Sequence, residues 1–255
     1  PYTASNSEEV LMVTTFANKV VAARGTKIWS SASTTLGTDS THAIASGTGM
    51  TGSGTITVES TTGFSSSGTL QINDEEFTYT GVTATTFTGV TRSTSSTTAA
   101  THSASSDTSI TPVSESWTSR DTGRTGATKY SFERFNFDGN DKLIVVDGAN
   151  DPTVFNTSLA ATDVTESSVE GASLVAAYRE HMFYAGMSST PQEVVFSQPF
   201  DEDAFSSGSG AGSIKVDDTI VGLKVFRENL FIFCENRIFK LTGSSSSDFA
   251  VAPVT

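Results

Sequence analysis

The sequence predicts an all-β protein made of β-propeller-like blades, with a small β-sandwich or β-barrel module inserted between two of them. Short runs of Thr, Val, Ile, Phe and Tyr alternate with polar residues, which is the periodicity of half-buried strands. A unit of aromatic and apolar strands recurs at roughly 40 to 50 residues, the period of propeller blades. The first interval is longer by about the length of one Ser/Thr-rich stretch, as an insertion would make it.

The composition agrees with this class and excludes several others. Of the 255 residues, 17% are charged and 36% hydrophobic, and Ser plus Thr make up roughly three in ten. Such usage is not typical of a coiled coil or helical bundle, and no apolar run approaches the roughly 20 residues of a membrane span. The net charge of −13 argues against wrapping nucleic acid, which needs a basic face. The single cysteine, Cys234, excludes an intrachain disulfide.

The repeat has four copies, each with an aromatic strand, a polar turn, an apolar strand, a second turn and a strand with another aromatic. By position the copies are 16–29, 137–155, 178–196 and 226–241. We assign residues 1–50 to a first blade region and 110–255 to further blades. An ordinary β-sandwich whose hairpins resemble one another by chance is the alternative.

The ends of the sequence suggest that the repeat continues. The chain begins at Pro1 without an initiator Met or a signal-peptide pattern, and residues 249–254 read as the start of another strand. Propellers typically have 4–8 blades. We therefore expect an incomplete part of a larger propeller, with further copies after Thr255.

Two apolar runs favour blades over solvent-facing hairpins. Residues 143–146 and 230–233 are hydrophobic on both faces, and such strands must be covered on both sides. The inner strands of a propeller blade are covered by the neighbouring blades. We therefore expect Phe231 and Phe233 to be buried between blades. Helix is expected at most as one turn, at 159–164.

The inserted module occupies residues 51–109, a stretch of almost only Thr, Ser and Gly between its strand patterns. Four segments alternate as strands do: 55–59, 68–72, 75–80 and 86–90. Asn73 and Asp74 make a two-residue turn of the type that hairpins prefer. Seven apolar side chains would line one face, namely Ile56, Val58, Leu70, Ile72, Phe77, Tyr79 and Phe87. A solvated linker is expected only for the flanks, 31–49 and 93–106.

Candidate catalytic residues are few, and a structural role is the simpler interpretation of each. His42 and His102 lie in Ser/Thr-rich segments with no carboxylate or Cys at ligand spacing, and His181 begins an apolar strand. A single Cys cannot build a structural zinc site. The Gly-rich segment 208–212 lacks the Lys-Ser or Lys-Thr pair of a phosphate-binding loop, so we expect a flexible loop. We assign no catalytic, cofactor-binding or metal-binding residues, and no cofactor.

Three polar segments could have a functional role instead of a structural one, but the sequence pattern of each is not specific. The acidic residues 74–76 could bind a cation, but solvated charges at a hairpin turn are the simpler interpretation. Segments 138–141 and 147–151 resemble loose calcium loops without the bidentate Glu of an EF-hand, and their Asp, Asn and Gly residues are also typical of tight turns. Segment 119–125 resembles the Asp-box of sialidase-type propellers. Gly126 stands where that motif has an aromatic residue. We therefore interpret the segment as a turn without catalytic function.

Two parts of the chain resemble structural proteins of tailed bacteriophages. Segments 230–233, 238–243 and 249–255 look like blades of tail hub or nozzle proteins. Segment 194–199 with Asp201 is similar to the turns of such blades. The stretch 55–102 resembles a small β insertion of many phage structural proteins. The residues on which this second resemblance rests are Gly63-Phe64, Gly68-Thr69-Leu70, Asp74-Glu75-Glu76, Tyr79-Thr80-Gly81, Phe87-Thr88-Gly89, Thr91-Arg92 and Ala99-Ala100-Thr101-His102.

This resemblance implies a non-enzymatic virion protein of the phage tail, assembled in the host cytoplasm. Nozzle proteins form a ring around the path of the DNA and carry propellers on the outside. The resemblance therefore implies a homo-oligomeric ring that contacts other tail, adaptor or fibre proteins, serves DNA ejection and has no membrane span. DNA would pass nearby without sequence-specific binding, and the negative net charge suits a wall past which DNA slides.

A receptor- or carbohydrate-binding propeller of a tail or baseplate is the alternative function. Sugar sites usually stack rings on exposed aromatic residues, and Trp29 and Trp117 are the two Trp residues of the chain. A glycan array would separate this hypothesis from a purely structural role. A sialidase-type enzyme ranks last, because the sequence lacks the Arg cluster and nucleophile that its chemistry requires.

Overall fold

The fold is all-β, as the sequence predicts. A computed structural model describes residues 9–32, 44, 52, 54–104, 110–113 and 117–254. In this part of the chain the strands form five antiparallel sheets, four with four strands and one with six. The contacts divide the chain into two compact units. One contains Pro1–Glu8, Asn18–Val21 and Trp29–Ser119, and the other contains Glu9–Ala17, Ala22–Ile28 and Arg120–Thr255.

The strands are short and follow one another through tight turns. The first nine, β1 to β9, are Val10–Phe16, Lys19–Arg24, Lys27–Ser31, Gly54–Thr57, Gly68–Ile72, Glu75–Tyr79, Gly81–Val82, Thr86–Arg92 and Ile110–Pro112. The next five, β10 to β14, are Trp117–Thr122, Ser131–Phe135, Lys142–Val146, Thr153–Phe155 and Ala161–Asp163. The last eight, β15 to β22, are Leu174–Tyr178, His181–Ala185, Glu193–Phe196, Gly212–Lys215, Ile220–Phe226, Asn229–Cys234, Ile238–Thr242 and Ala250–Pro253. Among the described residues, no helix is long and apolar enough to cross a membrane.

Four of the sheets are meanders in which strands adjacent in the chain are also adjacent in space. The first sheet has the order β1-β2-β3-β10, the second β11-β12-β13-β14, the third β15-β16-β17-β18 and the fourth β19-β20-β21-β22. The first sheet alone is interrupted, because β4 to β9 lie between β3 and β10 in the chain. Those strands form the module sheet, with the order β4-β8-β6-β5-β9 and β7 beside β8.

The second, third and fourth sheets pack face to face. One apolar cluster joins the second sheet to the third and includes Ile144 and Tyr184; another joins the third to the fourth and includes Phe183 and Leu230. Phe183 and Tyr184, which are neighbours in β16, therefore point to opposite faces of the third sheet, as the alternation of side chains along a strand requires. The apolar run 143–146 is fully buried, as predicted.

The prediction for 230–233 is wrong for its two Phe side chains. Leu230 and Ile232 are fully buried, but Phe231 is half-buried and Phe233 is 38% exposed. Leu230 and Ile232 point toward the third sheet, and alternation turns Phe231 and Phe233 to the other face.

The helical turn considered at 159–164 is also wrong, because β14 occupies residues 161–163 of this segment and pairs with β13. The carboxamide Oδ1 of Asn156 accepts hydrogen bonds from the backbone N–H groups of Ser158 and Ala160. This side-chain acceptor closes a tight turn and directs the chain back as a hairpin.

The module sheet confirms the predicted apolar face. All seven predicted side chains belong to one buried cluster, which Ile44, Val90 and Ile110 complete. The solvated linker predicted for 93–106 is wrong at His102, which is buried and whose backbone pairs with Ile44 in an isolated bridge. Ser95, Ser96, Thr98, Ala100 and Thr101 of this flank are exposed. Of the other flank, 31–49, Ser31, Ala32 and Ile44 are buried and residues 33–43 and 45–49 lie outside the described residues.

Candidate functional site

The carboxylate of Glu75 is the centre of a buried polar cluster in the module sheet. Arg92 donates from Nε to Oε1 and from Nη2 to Oε2, both at 2.8 Å. The hydroxyl of Ser93 and the amide of Ala100 donate to the same carboxylate at 2.9 Å, and His102 Nε2 lies 2.9 Å from Oε2. Burial raises the pKa of Glu75, but these donors lower it more, to about 2.

This cluster corrects the interpretation of 74–76 as solvated turn charges at Glu75, whereas Asp74 is exposed. Glu75 is 1% exposed, because alternation along β6 turns it inward together with Phe77. Its partners come from the end of β8 and from the segment that follows, so the carboxylate fixes the return of the chain at Ala100 and His102. These contacts join segments of the module, and Glu75, Arg92 and His102 are all buried, which indicates a structural role.

A second buried cluster surrounds Arg124, in the segment that follows β10. Nε donates to Asp147 Oδ2 at 2.7 Å, and Nη1 donates to Asp121 Oδ2 at 2.9 Å and to Thr153 Oγ1 at 2.5 Å. Thr153 in turn donates to Asp163 Oδ1 at 2.7 Å. Burial lowers the pKa of Arg124, but Asp147 and Asp121 raise it more, so the guanidinium stays charged.

The Arg124 cluster explains two of the polar segments singled out in the sequence. Asp147 Oδ1 accepts the N–H groups of Ala149 and Asn150, as an aspartate at a tight turn does. The other carboxylate oxygen of Asp147, Oδ2, accepts a hydrogen bond from the guanidinium of Arg124. In this calcium-loop-like segment the positive charge therefore comes from the Arg124 side chain. Asp121 and Arg124 are the members of the Asp-box-like segment that take part.

The other calcium-loop-like segment, 138–141, is held by side-chain contacts of its own. Asp138 Oδ1 accepts the N–H of Asn140 at 3.1 Å, and Asp141 pairs with Arg134. Lys142 Nζ lies 3.5 Å from Asp138 and 2.8 Å from Glu202. Among the described residues, no group of three or more His, Cys, Asp or Glu side chains could hold a metal ion.

The remaining candidates also have structural surroundings. His181 begins β16, as predicted, and its Nδ1 lies 2.6 Å from the carbonyl oxygen of Ser197 within a cage of Phe rings. Gly212 is part of β18 rather than of a flexible loop, because it pairs with Phe196 of β17. A Cβ there would lie 2.8 Å from the ring of Phe196, which favours glycine at this position. His42 lies outside the described residues.

The feature best suited to a functional contact is the outer face of the fourth sheet. Phe226 is 58% exposed, Phe233 38% and Ile238 39%. Phe231 lies between Lys224 and Lys240 in the register of the sheet, and Phe233 lies between Gly222 and Ile238. We call the six side chains together the forward face: Lys224, Phe226, Phe231, Phe233, Ile238 and Lys240.

The forward face has a counterpart in the third sheet. The segment Phe226-Arg227-Glu228-Asn229 corresponds to Tyr178-Arg179-Glu180-His181, and in both the Arg-Glu pair forms a two-residue turn with left-handed φ. Counting from these turns, Phe231 matches Phe183 and Phe233 matches Ala185.

In the third sheet this face is buried under the fourth. Tyr178 is 4% exposed, and Phe183 and Ala185 are fully buried in the cluster that contains Leu230 and Ile232. Phe16 and Phe135, which end the first strands of the first and second sheets, are 1% and 5% exposed. Phe226, at the end of the first strand of the fourth sheet, is the exception at 58%.

No protein-family model matches this sequence, and no curated protein matches it either.

Sequence reasoning missed the buried clusters around Glu75 and Arg124. Residues 75, 92 and 102 are far apart in the chain, as are 124 and 147, and single segments carry no signal of such pairing. The available hint was the scarcity of Lys and Arg in the module, where Arg92 is the one cation between residues 51 and 109.

Proposed function

We propose that the chain is a non-enzymatic structural component of a bacteriophage tail, of the hub or nozzle type. Its four-stranded sheets are blades of a β-propeller-like body, and several copies form a ring around the path of the DNA. The chain acts in the virion, is assembled in the host cytoplasm and contacts other tail, adaptor or fibre proteins.

The observation that carries the proposal is the repeated use of one sheet face. Three sheets bury an aromatic residue at the end of their first strand, and the fourth exposes Phe226 at the same place. Consecutive four-stranded meanders stacked through such faces are the arrangement of propeller blades. An apolar face of this kind marks a protein contact rather than a site for chemistry.

The buried polar clusters support a structural role. Glu75 and Arg124 would be candidates for chemistry from their charge alone, but each is nine-tenths or more buried and bonded to partners within the protein. Such pairs fix the arrangement of segments and do not reach a substrate. The net charge of −13 suits a surface past which DNA moves without sticking.

Mass spectrometry of purified virions tests the proposal. We expect the protein in mature particles at a constant number of copies per particle. Its absence from mature particles would contradict the proposal, as would a hydrolase activity of the purified chain that one point mutation abolishes.

A further inference from the structure

We infer that segment 198–205, which follows β17, carries a docking point for another protein, one that presents an apolar pocket edged by arginine or lysine. The docking point consists of the ring of Phe200 and the carboxylates of Asp201 and Asp203. The inference goes beyond the proposed function and does not depend on it, because it rests on the construction of this segment alone.

Phe200 combines an exposed aromatic ring with an unfavourable backbone conformation. Its side chain is 57% exposed, and its φ of +64° lies in the left-handed region. It follows Pro199 in a tight turn, where a left-handed φ after proline normally selects Gly or Asn. Leu159 is the other described residue that has both a large apolar side chain and such a φ, and it is 2% exposed. Burial offsets the backbone strain at Leu159, whereas the ring of Phe200 stays largely in solvent.

Backbone contacts hold the turn, so the ring of Phe200 is not needed to form it. The Phe200 N–H donates to the carbonyl oxygen of Glu180 at 2.7 Å. The hydroxyl of Tyr184 donates to the carbonyl oxygen of Glu202 at 2.6 Å, which fixes the next part of the segment. Any residue that accepts a left-handed φ could supply the N–H at position 200. The presence of Phe there is therefore best explained by a contact of its ring with a partner, and a ring on a fixed turn is a preorganised anchor for such a contact.

The carboxylates of Asp201 and Asp203, both exposed, place two like charges next to this ring in the chain. A side-chain hydrogen bond with Asp201, together with partial burial, raises the pKa of Asp203 to about 6. Lys142 lowers this pKa, but its Nζ is engaged by Glu202 at 2.8 Å and by Asp138 at 3.5 Å. The carboxylate pair is thus unfavourable in the chain alone, and a guanidinium or ammonium group of a partner would stabilise it.

The charges at neighbouring positions determine which partner fits. Glu180, whose carbonyl oxygen holds the turn, carries another exposed carboxylate, and the adjacent Arg179 lies 3.7 Å from the carboxylate of Glu228. An exposed aromatic ring beside several carboxylates repels nucleic acid and anionic membrane surfaces. It attracts a protein surface on which arginine or lysine residues border an apolar pocket.

Two short peptides of defined sequence test the docking point. One has two arginines on either side of a pair of leucines, and the other has glutamates in place of the arginines. Fluorescence anisotropy of the labelled peptides measures binding to the full chain at about 150 mM salt, where long-range attraction is screened. We expect saturable binding of the arginine peptide and no binding of the glutamate peptide.

Substitutions assign the binding to the docking point. Phe200→Asn and Asp203→Asn should each weaken binding of the arginine peptide about tenfold. Phe132→Thr and Asp74→Asn are the matched controls and should bind as the unmodified chain does, because Phe132 is 40% exposed in β11 and Asp74 is an exposed carboxylate of another turn. Phe200→Asn should also keep or raise the melting temperature, since Asn accepts a left-handed φ.

Four results overturn the inference. The first is the absence of saturable binding by the arginine peptide. The second is equal weakening by the control variants, which would show a general attraction to an acidic chain. The third is a clearly lower melting temperature of Phe200→Asn, which would show that the ring supports the fold. The fourth is a rise in melting temperature with millimolar Ca²⁺ that Asp203→Asn abolishes, which would assign the carboxylates to a metal ion.

The outcome of these measurements is separate from that of the proposed function. A chain that binds the arginine peptide through Phe200 but is absent from virions would contradict the proposed function and leave this docking point intact. A chain that is present in virions but does not bind the peptide would do the reverse.

Discussion

Arg124 and Asp147 form a buried ion pair, with 2.7 Å between Nε and Oδ2, that joins the segment after β10 to the loop between β12 and β13. The backbone N–H of Arg124 also donates to the carbonyl oxygen of Thr26, in the turn between β2 and β3. One residue thus links the first sheet to the second at the point where the chain passes between them. A substitution at Arg124 therefore measures how much this junction contributes to the stability of the protein.

Replacing Arg124 with Ala should destabilise the protein by about 3–5 kcal/mol, because it leaves Asp147 buried without its cation. Urea unfolding followed by circular dichroism measures the free energy of unfolding. Arg134→Ala is the matched control: its ion pair with Asp141 is exposed to solvent, so its loss should cost much less. Equal losses for the two variants would contradict the assignment of Arg124 as the buried link.

The Glu75 cluster predicts a specific pH dependence. The pKa of Glu75 falls from its ordinary value of 4.5 to about 2 in the folded protein. Its charged form therefore stabilises the module above pH 4.5, and this stabilisation is lost as the pH falls from 4.5 toward 2. A shift of this size corresponds to a stability on the order of 3 kcal/mol.

Hydrogen exchange of peptides covering β5 and β6 measures this effect in the full chain. Glu75→Gln should lower protection at pH 7 and remove much of the loss of protection that the unmodified chain shows between pH 4.5 and 2. Glu76→Gln, one position along the same strand, should behave as the unmodified chain. An acid response that survives in Glu75→Gln would assign the pH dependence to other groups.

Phe183 and Phe231 occupy matching positions in the third and fourth sheets but differ in burial. Phe183→Ala should cost about 3–5 kcal/mol, because it opens a cavity between two packed sheets. Phe231→Ala should cost clearly less in the monomeric chain, since its ring is only half-buried. Denaturant unfolding of both variants at low protein concentration makes the comparison. A larger loss for Phe231 would show that its face is already covered within the chain.

Removing the inserted strands should leave the four-stranded sheets folded. Gly63 lies 3.4 Å from Ala32 Cβ and 3.5 Å from Thr118 Oγ1, measured from the Cβ it would carry, so the two ends of the insertion are close. A deletion of 33–116 bridged by a short Gly-Ser linker therefore needs no rearrangement of β3 or β10. We expect a single cooperative thermal transition. Loss of that transition would show that the module belongs to the main core.

The parts of the fold that depend on local alternation could be predicted from the sequence. The seven apolar residues of the module face follow a strict period of two, and the hairpin at Asn73–Asp74 is a strong local signal. The boundary of the module at 109 is less clear, because β9 at Ile110–Pro112 pairs with β5. That pairing spans about forty residues and has no local signature.

The burial of single side chains could not be predicted where it depends on what lies against a sheet. The run Leu230-Phe231-Ile232-Phe233 has the same apolar character as 143–146, yet its two Phe side chains face outward. Glu75 shows the reverse case, since its charge predicts exposure and its place in the alternation of β6 determines burial. Both depend on contacts between distant segments.

A symmetric reconstruction of the virion tail tests the central claim most directly. We predict density for this chain repeated around the tail axis, with its four-stranded sheets arranged as blades and Phe226, Phe231 and Phe233 covered by protein. A tail without this chain, or one in which the chain is present as isolated copies off the axis, would contradict the account.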